Sequence, residues 1–74
     1  MGEMSILART GAEKITWDPE VPDEILTVKQ RFQSLLEEGY LAFHVNNNGG
    51  EGKKISTFDI FAEKIIMVPK LGGG

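Results

Sequence analysis

Cysteine is absent from the 74 residues, and histidine, tryptophan and tyrosine occur once each. The missing thiols exclude disulfides, thiolate metal sites and a cysteine nucleophile, and they leave the redox compartment open. His44, the single histidine, has no second imidazole or thiol to complete a zinc site, and a Ser-His-Asp unit built on it is not expected. A basic excess is missing too. Eleven acidic residues against eight basic ones give a net charge of −3, whereas a nucleic-acid surface needs clustered Lys and Arg. No apolar run approaches the roughly 20 residues of a membrane-crossing helix. The first residues lack a basic stretch followed by an apolar one, so no signal peptide is expected. Met1-Gly2 is followed by Ile6 where a myristoylation motif needs Ser or Thr. The default expectation is a soluble cytoplasmic protein, a monomer, with no cofactor, no metal and no contact with membrane or nucleic acid.

What is present is ordinary for a small globular chain, with 41% apolar and 26% charged residues. A chain of this size holds one core and buries only about 60% of its unfolded surface, so no deep cavity is expected. Ile25, Val28, Phe32, Leu35 and Leu36 recur with the 3.6-residue period of one helix stripe, between polar residues on the remaining face. Asp18-Pro19 and Pro22-Asp23-Glu24 supply capping residues, first-turn prolines and acids for the positive helix end. Gly39 supplies the stop, with Tyr40 folding back on Leu35 or Leu36. The spacing predicts a helix over residues 22–38.

The flanking segments alternate with period two. Ile6, Ala8 and Thr10 oppose Leu7 and Arg9, Gly11-Ala12 offers a turn, and Ile15 and Trp17 alternate with Lys14 and Thr16, which together predict an N-terminal hairpin. Leu41, Phe43 and Val45 alternate with Ala42 and His44 as a third strand. Residues 46–52 read as a loop rich in residues that tolerate positive φ, and residues 54–58 as a short fourth strand. Residues 59–63 read as a turn or a single helical turn capped by Asp59, and residues 65–68 as a final apolar strand whose near-continuous hydrophobicity predicts a central position covered on both faces. The loop 49–54 resembles a phosphate cradle only superficially, because Asn47 and Lys54 stand where a P-loop needs Gly and Ser or Thr. It also carries too few carboxylates for an EF-hand calcium site. Lys14, Lys29, Lys53, Lys54, Lys64 and Lys70 read as solubilising surface, and Trp17 reads as core.

The fold class is therefore α+β, in the order β-β-α-β-β-β with one helix packed on a mixed sheet, which is the element order of the β-grasp, ubiquitin-like fold. Residues 1–71 form the single domain and residues 72–74 a glycine tail. The stretch Val68-Pro69-Lys70-Leu71-Gly72-Gly73 resembles the end of the molybdopterin-synthase and thiamine sulfur-carrier proteins. The segment from Thr57 to Ile65 is similar to small prokaryotic proteins that end in Pro-x-x-Gly-Gly. Two departures stand out. Gly74 adds a third glycine, and Lys70-Leu71 is closer to the Leu-x-Gly-Gly style of ubiquitin.

The resemblance implies a protein that is substrate rather than catalyst. An adenylating enzyme would activate the carboxylate of Gly73 or Gly74, Gly72 would give clearance, and Pro69 and Leu71 would seat the tail. A protease would trim Gly74 if activation needs Gly-Gly. Phe43, His44 and Lys70 are the candidate partner-docking residues. Glycine suits such a tail because it lacks a Cβ and threads a narrow channel. The competing reading is a small β-grasp interaction module, or a phage-type structural protein, with an inert tail.

Overall fold

Residues 1–8, 10–45 and 52–69 are described in this computed structural model. Strands β1 (Gly2–Ala8) and β2 (Gly11–Trp17) pair antiparallel, in register from Gly2 opposite Trp17 to Ala8 opposite Gly11. The alternation is carried by Gly2, Met4 and Ile6, which point inward and are buried, while Glu3, Ser5 and Leu7 point to the other face. The strand thus starts four residues earlier than the Ile6-based pattern suggests. The reversal also comes earlier. Ala8 pairs with Gly11, so the chain turns between them and not at Gly11-Ala12. Gly11 does have a backbone that favours glycine, with φ +138°, but it uses it as the first paired residue of β2.

Helix α1 spans Pro22–Glu37 and buries Val28, Phe32 and Leu35, with Ile25 and Leu36 packed at the edge of the same stripe. Its start departs from the capping expectation. Val21 occupies the cap position and makes no side-chain cap. Asp18 instead accepts from the Glu20 amide at 2.9 Å in the preceding turn, and Glu24 Oε1 reaches back to the Asp18 amide at 3.0 Å. Pro22, Asp23 and Glu24 still occupy the first turn, where a missing N–H costs nothing and acids favour the helix dipole. The C-terminal end follows expectation. Gly39 sits at φ +100°, its N–H donates to Leu36 O at 3.0 Å, and the Tyr40 N–H donates to Leu35 O at 2.9 Å. This is the Schellman arrangement, which satisfies carbonyls that the helix leaves open.

Three further strands follow, β3 (Leu41–Val45), β4 (Lys53–Ile55) and β5 (Lys64–Val68). The sheet order is β2-β1-β5-β3-β4, with β5 parallel to β1 and antiparallel to β3. The expected central position of the last strand is realised, and the molecule is an α+β structure with one helix on a five-stranded mixed sheet. Strand β4 is shorter than predicted because Phe58 leaves the sheet for the core side. Its ring lies 5.0 Å from that of Trp17 and 5.6 Å from that of Phe32, both in tilted packing. The turn after it matches the Asp59 prediction, since Asp59 Oδ1 accepts from the Phe61 amide at 2.9 Å and Asp59 O from the Ala62 amide at 3.1 Å. Trp17 is fully buried, and its Nε1–H donates to Ile60 O at 3.0 Å, so the indole carries no unpaired donor into the core.

The expectation that β5 is covered on both faces is not met. Ile65 and Met67 are fully buried beneath the helix, whereas Ile66 and Val68 are only half-buried. One helix covers one face of a five-stranded sheet, and no described element lies over the other. The apolar run in β5 therefore serves two different surfaces.

Candidate functional site

The tail that the sequence singles out, Lys70, Leu71, Gly72, Gly73 and Gly74, lies outside the described residues. What is described is its root. Strand β5 holds a neighbour on each side, with Met4, Ser5 and Ile6 of β1 opposite Ile65, Ile66 and Met67, and Leu41 to Val45 of β3 opposite Val68 to Lys64. Pro69 follows Val68 as a half-buried residue outside any strand, in keeping with its lack of a ladder-forming N–H.

The helix-free face of the sheet is the second feature. Leu41, Phe43 and Val45 of β3 share it with Ile66 and Val68 of β5, because cross-strand partners point to one face and Phe43 pairs with Ile66 and Leu41 with Val68. All five are half-buried. Gly52 lies against this face, where a Cβ built on it would sit 3.5 Å from Phe43 Cβ and 3.5 Å from Val45 Cγ2. Lys54 stands opposite Phe43 on the β4 side. At the β1–β2 side, Glu3 Oε1 receives Lys14 Nζ at 3.5 Å and Glu3 Oε2 receives Lys64 Nζ at 3.7 Å. One carboxylate therefore holds two ammonium groups across three strands, each partly exposed and worth little in stability.

The candidate docking residues separate on this geometry. Phe43 lies on the open face. His44, its neighbour along the strand, points to the helix side, as Ala42 does, and is opposite Ile65 and Lys53. The two side chains do not form one patch. Lys70 lies outside the described residues. Sequence reasoning did not assemble Leu41, Val45, Ile66 and Val68 into a surface. The signal that finds them is the period-two alternation of β3 combined with the register to β5, and register is not readable from one strand.

Elsewhere the chemistry is sparse. Among the described residues no group of three or more His, Asp or Glu side chains is close enough to hold a metal ion. A shallow groove of about 270 Å³ runs between the hairpin and the helix, lined by Ile6, Thr10, Glu13, Arg31 and Tyr40 among others. Arg31 is engaged there with Glu13 at 3.5 Å. Among the described residues no helix is long and apolar enough to cross a membrane. Comparison of the chain with protein-family models, with curated proteins and with solved structures finds no match.

Proposed function

We propose that the chain is a non-catalytic carrier of the β-grasp type, activated at the carboxylate of its terminal glycines by an adenylating enzyme. The observation that carries the reading is the root of the tail. The last strand is central, hydrogen-bonded to β1 and β3, and runs through Pro69 directly toward Lys70-Leu71-Gly72-Gly73-Gly74. A handle built this way is held at its base by two strands, so a partner can draw the glycines into its own site without opening the sheet. The one-helix, five-strand arrangement is compatible with the β-grasp fold that the element order predicts. The apolar open face supplies a surface on which the activating enzyme seats.

The chemistry follows from the weakness of a carboxylate as an electrophile. Its oxygen attacks the α-phosphorus of ATP, giving an acyl-adenylate and releasing pyrophosphate. A hydrosulfide-level nucleophile then attacks the acyl carbon, forms the C–S bond of a thiocarboxylate and displaces AMP. If a lysine amine attacks instead, an isopeptide forms, AMP leaves and the amine proton passes to solvent. Gly73 or Gly74 carries the reacting carbonyl, after trimming by a protease where Gly74 or further residues stand in the way, and Gly72 gives clearance because it has no Cβ. Leu71 and Pro69 seat the tail. The ATP requirement fits a cytoplasmic location.

Intact-mass spectrometry tests this reading. The protein is incubated with ATP and sulfide in an extract of its native cells, then re-isolated and weighed. The expected result is a mass gain equal to exchange of one carboxyl oxygen for sulfur, or an isopeptide adduct, and loss of that gain in Gly73→Ala. If the native tail gives neither product and Gly73→Ala has no phenotype in those cells, the carrier reading falls. The inert-tailed interaction module then accounts for the open face alone.

A further inference from the structure

Charge is not spread evenly over this molecule. The chain is acidic overall, at −3, yet the described strand residues of the open sheet face carry more basic than acidic side chains. Among its described strand residues it carries Lys14, Lys54 and Lys64 against a single carboxylate, Glu3. Glu3 is already shared between Lys14 and Lys64. Lys54 pairs across strands with Phe43 and has no carboxylate within ion-pair distance among the described residues. The remaining described acids lie on or beside the helix, in the turn before it, on the helix side of β2, and in the segment 56–63.

This sidedness has a physical reading. Among the described residues the half-buried row of Leu41, Phe43, Val45, Ile66 and Val68 is flanked by Lys54 on the β4 side and by Lys64 and Lys14, which share Glu3, on the β5–β1–β2 side, so its rim carries a net positive charge. We infer that the open face receives a partner protein surface whose apolar centre is rimmed by carboxylates. Rim charges of this kind steer encounter and select partners more than they add affinity. The same charges oppose face-to-face pairing of two copies, which brings one lysine rim against another. A basic partner is turned instead toward the acidic helix side. The inference rests on the docking face invoked in the proposed function, but not on activation of the tail.

An amide-detected NMR titration tests it with the full chain. Three peptides of one length and one Leu/Phe pattern carry Glu, Gln or Lys at their polar positions. The Glu peptide is expected to bind and to shift the amides of Ser5, Phe43, Lys54 and Ile66, and to weaken as salt is raised. Lys14→Glu with Lys54→Glu weakens it by about tenfold, and Lys14→Gln with Lys54→Gln by about threefold, as expected for two exposed charge pairs reversed or removed. Both lysines are exposed, and an unchanged melting temperature shows that each variant folds. Equal or tighter binding of the Lys peptide overturns the inference. So do shifts confined to the helix side, absence of binding by all three peptides, or the same face shifting with protein concentration alone, which would make a second copy the occupant. Gly73→Ala is expected to titrate as the native chain does, so failure of the tail chemistry and failure of the docking inference are read from separate experiments.

Discussion

The tightest constraint at the scale of single residues is at Gly2. It pairs with Trp17 across the hairpin, and the indole lies over its backbone so closely that a Cβ there would stand 2.1 Å from Trp17 Cζ2. Non-bonded carbons do not approach one another so closely, and the ring is held in place. Trp17 is fully buried, tilted against Phe58 at 5.0 Å, and hydrogen-bonded to Ile60 O at 3.0 Å. Gly2→Ala is therefore expected to lower stability by about 1–3 kcal/mol, the usual result of overpacking a filled core. Chemical denaturation reads it directly, and a variant as stable as the native chain would mean that the first residues of β1 do not lie against the indole. The same geometry explains why a residue that looks like a mere follower of Met1 is buried. Nothing in the sequence pairs position 2 with position 17 until the register of the hairpin is known, so Gly2 and Met4 escape a reading built on Ile6 and Leu7.

At the scale of elements, the helix is the part most legible in the chain, and its end is more legible than its start. Gly39 after a 3.6-residue stripe has one reading, a left-handed residue with φ +100° whose neighbours close onto Leu36 O and Leu35 O. Gly39→Ala forces a side chain into that region and is expected to cost about 1–2 kcal/mol. Far-ultraviolet circular dichroism during thermal melting would show the loss as a lower midpoint with unchanged helix content, and an unchanged midpoint would show that the turn relaxes freely. The start misleads because Asp18 looks like a cap and instead closes its own turn onto Glu20, leaving Val21 at the boundary. Strand β5 misleads for a different reason. A continuous apolar run signals burial, but it does not say by what. Ile65 and Met67 meet the helix, while Ile66 and Val68 belong to the open face. Strand β4 is mis-sized because Thr57 and Phe58 are good strand formers, and Phe58 is drawn instead into the cluster with Trp17 and Phe32. The candidate site divides along the same line. Alternation within β3 already sets Phe43 and His44 on opposite faces, but grouping Phe43 with Ile66 needs a cross-strand register that one chain's pattern does not contain.

Taken as a whole, the described residues form a sheet with one face under the helix, the other not covered by any described element, and the last strand at the centre. That arrangement couples stability to the proposed use of the tail. Strand β5 is held by β1 on one side and β3 on the other, whereas β4 is a three-residue edge strand paired only to β3. Opening β5 therefore requires separating both halves of the sheet and exposing Ile65 and Met67, which are fully buried. Opening β4 exposes little, since Lys53 and Lys54 are already exposed. Native-state hydrogen exchange is expected to sort the strands accordingly, with Ile65 and Met67 amides exchanging only through global unfolding and those of Lys53–Ile55 through local opening. Raising denaturant separates the two classes, because global opening responds with the full slope of unfolding and local opening with almost none. If β5 exchanged as readily as β4, the strand that precedes Pro69 would be a loose end, and a partner pulling on the glycines would unravel the sheet before reaching the carboxylate. Slow exchange at Met67 is what the proposed carrier requires, because only then does the free energy of docking go to seating the glycines and not to reopening the core.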